Sequence, residues 1–162
     1  MFEDENPKKK KRLTSTEALA KIYRYCAYQE RSHHEVKKKL FDYGLHSDEV
    51  DQILAKLITD GFVNEERFAK AFAGGKFRMK KWGRIKIEQE LNALGLSRNC
   101  INRGMKEIVD EDYRETLRRL LEKKNNLINE TDSFVRKDKL SKYAISRGYE
   151  PDLVWRLIKE IF

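Results

Sequence analysis

Residues 32–63 read SHHEVKKKLFDYGLHSDEVDQILAKLITDGFV, and this stretch decides the fold. Ser32 followed three positions later by Glu35 predicts a capping box, in which the hydroxyl accepts from the Glu35 amide and the carboxylate accepts from the Ser32 amide. Val36 and Leu40 then share one stripe of a helix that Gly44 ends as a left-handed residue. Ser47 opens the next helix, with Asp48, Glu49 and Asp51 where the positive end of the dipole favours acids, and Gly61 closes it. Its apolar face is Val50, Ile53, Leu54, Leu57 and Ile58. Just upstream, from near Thr14 to around Gln29 to Arg31, Leu19, Ile22, Tyr23 and Cys26 recur at helical spacing. Three amphipathic helices, each too short to stand alone, can thus close one small core.

The pattern recurs downstream. Asn64 caps a helix with Phe68 and Phe72 on its inner face, Gly83 introduces Ile87 and Leu91, Gly95 ends that segment, and Ser97 caps a helix carrying Ile101, Met105 and Ile108. A third round runs from about Asp112 through Leu117, Leu120 and Leu121, restarts near Ser133 toward Leu140 and Tyr143, and stops at Gly148. Pro151 at a first helical position launches Val154, Leu157, Ile158 and Ile161. The turns Tyr43-Gly44-Leu45, Leu94-Gly95-Leu96 and Arg147-Gly148-Tyr149 stand roughly 50 residues apart, which marks an internal repeat. The expectation is an all-α fold, a tandem array of three three-helix repeats, elongated or curved, at 14–63, 64–110 and 111–162 behind a flexible basic tail at 1–13. Within it, Ala73-Gly74-Gly75 puts two glycines into a helix at about 1 kcal/mol each relative to alanine, which predicts a bend or fray.

A length of 162 residues excludes two large domains, and 35 Lys and Arg against 27 Asp and Glu give a formal net charge of +8. Charged residues make up 38% of the chain and hydrophobic ones 40%, so it is heavily solvated yet able to build cores. No run approaches the ~18 apolar residues of a membrane span, and charges occupy the N-terminus where a signal peptide has its apolar stretch. Cys26 and Cys100 form no Cys-x-x-Cys pair, which fits a reducing compartment. A cytoplasmic protein with no membrane partner is expected.

A catalytic reading finds no scaffold, because the chain has no phosphate-binding Gly-rich loop and no His-Glu-x-x-His. No catalytic residue, metal or cofactor is expected. His33 and His34 point about 100° apart on a helix and His46 lies in another turn, so they make no chelate. The basic residues cluster instead. Lys37, Lys38 and Lys39 form one group; Lys76, Arg78, Lys80, Lys81, Arg84 and Lys86 surround Phe77 and Trp82; Arg114, Arg118, Arg119, Lys123 and Lys124 form a third. Lys76 and Lys80, like Arg114 and Arg118, are one helical turn apart and present charge along an edge. The middle cluster has the composition of a nucleic-acid surface, with Trp82 available to stack on an unpaired base. Lys8 to Arg12 reads as a DNA arm or a solubilising end.

Three stretches then read together: Arg31-Ser32-x-x-Glu35-Val36, Gly61-Phe62-Val63-Asn64-Glu65-x-Arg67-Phe68-Ala69, and Trp82-Gly83-Arg84-Ile85-Lys86-Ile87-x-x-Glu90-Leu91. In their order and spacing, from Ala18 to the C-terminus, the chain resembles the RecX family of bacterial recombinase regulators. The resemblance implies tandem three-helix repeats in a cytoplasmic protein that is not an enzyme. It implies binding to the RecA recombinase and its nucleoprotein filament, docked in the filament's helical groove. It further implies modulation, usually inhibition, of filament growth, ATP hydrolysis, strand exchange and co-protease activity, and so regulation of DNA repair, homologous recombination and the SOS response. Sequence-independent binding to single- and double-stranded DNA is expected with it.

Of the matched positions, Ser32, Glu35, Gly61, Asn64, Phe68, Gly83, Ile87 and Leu91 are expected to be architectural, and Arg67, Arg84 and Lys86 to interact. Asn64 stands where many relatives carry Asp, which preserves capping. A monomer is expected, since no self-complementary patch is evident. The alternative is a helix-turn-helix DNA-binding protein acting without RecA, its third helix in the major groove; Asp48, Glu49, Asp51 and Asp60 on that helix oppose it. A nuclease is disfavoured for lack of a carboxylate and metal motif.

Overall fold

The capping residues do what their spacing predicts. In the computed structural model, which describes residues 12–162, the Thr14 side chain accepts from the Glu17 amide, and Ser32 and Glu35 form the full capping box. Asn64 accepts from the Arg67 amide, Ser97 from the Cys100 amide and Asp132 from the Val135 amide. Each such bond satisfies an amide that the first helical turn leaves without a partner. Among the described residues the chain forms α1 (Ser15–Tyr28), α2 (His33–Asp42), α3 (Ser47–Thr59), α4 (Glu65–Gly75), a π-helical turn (Lys76–Lys80), α5 (Arg84–Ala93), α6 (Arg98–Met105), α7 (Asp110–Leu127), α8 (Ser133–Ser146) and α9 (Pro151–Ile161), with no strand. Most of the basic tail, residues 1–11, lies outside the described residues.

The repeated turn glycines Gly44, Gly95 and Gly148 have φ of +85°, +79° and +98°, conformations that favour glycine over any residue with a Cβ. Among the described residues, four α-helix starts lack a side-chain capping bond: α5 and α9 begin behind Gly83 and Glu150, and α3 and α7 are the other two. At α3 the cap position is His46, which makes no side-chain bond, and α7 begins at Asp110 behind Val109. Both first turns are acidic, with Asp48 and Glu49 in one and Asp110, Glu111 and Asp112 in the other, so the dipole interaction stands in for a capping bond.

The chain divides into two compact units with the boundary between Phe68 and Ala69, inside α4. In the first unit α1, α2 and α3 pack on one another around Ile22, Val36, Leu40, Val50 and Leu57, all fully buried. Full burial of such a side chain contributes about 1.5–3 kcal/mol, so this small core is stable only as a whole. Cys26 belongs to it, and burial pushes its thiol pKa up. Arg12, Leu13 and Ser15 at the start of α1 are strapped down: the Leu13 amide donates to the Tyr43 carbonyl at 2.9 Å, the Ser15 hydroxyl donates to Glu49 at 2.7 Å, and Arg12 pairs with the same carboxylate.

The second unit contains the second and third rounds of helices. Ile87, Leu91 and Ile101 fill one part of its core, and Tyr113, Leu117, Leu121, Leu140, Tyr149, Val154 and Ile158 the other. Gly104 on α6 lets that helix lie against α4, since a Cβ there would meet the Ala69 Cβ at 2.6 Å. The Gly74-Gly75 pair does not fray. The helix continues through it and widens into the π turn Lys76–Lys80.

Candidate nucleic-acid interface

The middle basic cluster is built on that π turn and on the sharp reversal that follows it. Phe77 is buried and anchors the turn, its ring 5.8 Å from that of Tyr113. Around this anchor Arg78, Met79 and Lys80 face solvent. The Arg78 guanidinium rests against Gly74, where a Cβ would lie 2.7 Å from its Nη2, so one of the two unexpected glycines makes room for a cation. Lys81 then takes a left-handed conformation, φ +58°, without being glycine, and reverses the chain. Its ammonium donates back to the Arg78 carbonyl at 2.7 Å.

What holds this turn comes from the third round of helices. The Tyr149 hydroxyl donates to the Lys81 carbonyl at 2.9 Å. The Gly83 amide donates to the Arg147 carbonyl at 2.8 Å and the Ile85 amide to the Gly148 carbonyl at 3.0 Å. The Tyr113 hydroxyl accepts from the Arg84 amide at 3.0 Å and donates to Glu150 at 2.6 Å. Burial drives both phenols well above the ordinary tyrosine range, so they stay neutral hydrogen-bonding groups, and their rings stack at 5.0 Å. The amides at the start of α5 are therefore taken by protein partners, and cationic side chains are left to meet an anion.

The predicted site residues separate into distinct environments. Lys76 and Lys86 place their ammonium groups 5.0 and 4.4 Å from the Trp82 ring, which is half-buried between the π turn and α5. These are cation–π contacts, and they hold two positive charges beside each other on an aromatic support. Arg78 and Lys80 are the exposed members on the turn. Arg84 is drawn inward, with its guanidinium 4.1 Å from the Tyr113 ring and paired to Asp110. Arg67 belongs to the first unit, where it pairs with Glu30 and donates to the Gly61 carbonyl at 3.0 Å. On α7 Arg114 is exposed, and Arg118 lies 3.7 Å from Glu160.

Phe68, Ile87 and Leu91 are buried, Gly61 turns with φ +79°, and Gly83 caps α5. The third helix, α3, exposes Asp48 and Asp51, which ill suits it to a major groove. Sequence reading did not single out Tyr113 or Tyr149 as supports of the basic turn. Tyr149 enters it only as part of the turn at Gly148 and Tyr113 not at all, since their hydroxyl partners lie far away in the chain.

Comparison with known proteins follows the same division into rounds. Family models described as the first, second and third three-helix domains of RecX match residues 18–57, 64–105 and 110–158, in chain order. A protein named regulatory protein RecX from Clostridium acetobutylicum is 30% identical over 132 residues, covering 79% of this chain and 61% of the relative. Another of that name from Clostridium perfringens is 27% identical and is covered over 60%, so the chain spans about three-fifths of the length of these relatives. A third, from Thermotoga petrophila, is 25% identical and covers 96% of this chain and 91% of the relative. In fold, the chain superimposes on the crystal structure of RecX from Lactobacillus salivarius with a TM-score of 0.80 at 22% identity, covering 91% of this chain and 96% of that one. Three domain models of one family laid in order along most of the chain leave one conclusion, that this chain belongs to the RecX family.

Proposed function

We propose that this protein is a regulator of the RecA recombinase: it binds the RecA nucleoprotein filament and inhibits its ATP hydrolysis, strand exchange and co-protease activity. Through this it restrains homologous recombination, DNA repair and the SOS response, acting in the cytoplasm as a monomer and without catalytic chemistry of its own. The repeats at 14–63, 64–110 and 111–162 are the units through which it docks. The observation that carries the reading is the rigid presentation of Arg78, Lys80 and the Lys76–Trp82–Lys86 group on a turn clamped at both ends. A cationic surface whose geometry is set beforehand loses little entropy when it meets a phosphate backbone or an acidic protein groove.

The test is ATP hydrolysis by the host recombinase on single-stranded DNA, with substoichiometric amounts of this protein added to preformed filaments and excess DNA as the control. Inhibition that persists in excess DNA supports filament regulation. Recovery in proportion to added DNA reduces the activity to competition for the lattice and replaces this reading with that of a DNA-binding module.

A further inference from the structure

We propose that the α1–α2 hairpin of the first unit carries a second nucleic-acid surface, a tyrosine-and-cation platform for single-stranded DNA, made of residues other than those around Trp82. Lys21, Tyr25 and Tyr28 follow one another at the spacing of a single face of α1, and Lys39 and Tyr43 do the same at the end of α2. Arg31 lies in the turn between the two helices. Its guanidinium sits 3.7 Å from the Tyr25 ring and 6.0 Å from that of Tyr28, and its Nε donates to the Tyr25 carbonyl at 3.0 Å. The Lys39 ammonium lies 5.3 Å from Tyr25 and 5.9 Å from Tyr43, and that of Lys21 lies 6.0 Å from Tyr43. Three cations and three rings thus interleave on one hairpin, with Tyr28 left 83% exposed.

The charge of the first unit is distributed to match. Residues 12–45 hold seven Lys and Arg against four Asp and Glu, whereas Ser47–Thr59 holds three acids against one lysine. Of the four acids, Glu17 accepts from the Thr14 hydroxyl, Glu35 is held in the capping box and Glu30 pairs with Arg67; Asp42 lies near Tyr25 and moderates the field. The Leu13 to Tyr43 hydrogen bond brings the chain at Leu13 to the edge of the platform. Cations alone would serve an acidic peptide or a duplex equally well. An exposed ring set among them selects a strand whose bases are free to stack.

The experiment measures binding of the full chain to a short labelled single strand by fluorescence anisotropy, without recombinase, so its outcome is separate from that of the ATPase assay. Tyr28→Ala is expected to weaken binding by roughly five- to hundredfold, and Tyr28→Phe to bind within about twofold of the parent, since the ring and not the hydroxyl stacks. On an abasic strand and on a duplex, the parent and Tyr28→Ala should bind alike. Lys39→Gln should lower the slope of log affinity against log salt by about 1 or somewhat less. Parent-like binding of Tyr28→Ala to the base-bearing strand, or an equal loss on the abasic strand, overturns the proposal. So does a Tyr28→Ala defect seen with the recombinase filament but not with naked DNA, which would make the surface a protein contact.

Discussion

Gly83 and Gly148 meet backbone to backbone: a Cβ on Gly83 would lie 2.1 Å from the Gly148 carbonyl carbon. At that separation the Gly83 and Ile85 amides donate to the Arg147 and Gly148 carbonyls, and the basic turn ahead of α5 is tied to the end of α8. Gly83 has to be glycine for want of space beside Gly148, whereas Gly148 is set both by its φ of +98° and by Lys86, whose Cβ would lie 2.4 Å from an added methyl. Gly83→Ala should therefore destabilise the protein by about 2 kcal/mol or more, because rigid backbone has to move to admit a methyl group. Urea denaturation followed by circular dichroism measures this, and an unchanged midpoint would show that the contact opens without cost.

Tyr113→Phe removes a hydroxyl that serves the Arg84 amide on one side and Glu150 on the other. The ring stays and the volume is nearly unchanged, so the loss isolates the hydrogen bonds. Leaving a part-buried amide and a carboxylate without this partner should cost about 1–3 kcal/mol in the same urea titration. A cost near zero would mean that water replaces the hydroxyl freely.

Alkaline pH should weaken the second unit. The Tyr113 and Tyr149 phenols have native values raised above the ordinary one, chiefly by burial. In the unfolded chain they ionise near pH 10 while in the folded chain they hold their protons, so the unfolded state binds fewer protons above that pH. Their contribution is complete below about pH 10 and is lost progressively as pH rises beyond it. Comparing the urea midpoint at mildly and strongly alkaline pH in the parent and in Tyr113→Phe/Tyr149→Phe tests this: the double variant should show a shallower decline.

Charge reversal should sort the cationic residues of the π turn and α5 into two classes. Arg78→Glu with Lys80→Glu changes exposed side chains, and should leave helicity and melting unchanged while lowering the salt slope of DNA binding by about 1 per lost phosphate contact. Arg84→Glu places a carboxylate beside Asp110 and over the Tyr113 ring, and should lower stability as well. Equal melting temperatures for the two variants would contradict the inward placement of Arg84.

Leu57→Ala probes the first unit alone. The side chain is fully buried in α3, and its truncation should cost about 2–5 kcal/mol. A parent-like melting curve would show that the first core collapses around the gap without penalty.

Helix positions, the caps at Ser32, Asn64 and Ser97, the left-handed turns at Gly44, Gly95 and Gly148, and the buried stripes through Leu57, Ile87 and Leu91 were all legible in the sequence. Each depends on residues within one or two helical turns of one another, and local backbone chemistry links them directly to residue type. The cationic composition of the cluster around Trp82 was legible for the same reason. Its support was not, because Tyr113, Tyr149 and Gly148 reach it across 29 to 68 positions of chain, and nothing local distinguishes a core tyrosine from one whose hydroxyl holds a distant turn. The Gly74-Gly75 pair predicts weakness by propensity, yet packing of Phe77 on Tyr113 keeps the segment helical and turns the added freedom into a π turn. Periodicity by itself marked most of the buried stripes, although Ile58, on the expected inner face of α3, is exposed, and the fully buried Tyr113 was not marked. Only tertiary contacts decided that Arg67 and Arg84 are paired within the protein while Arg78 and Lys80 face solvent, since the fate of a cation depends on which carboxylate, ring or carbonyl the fold brings to it.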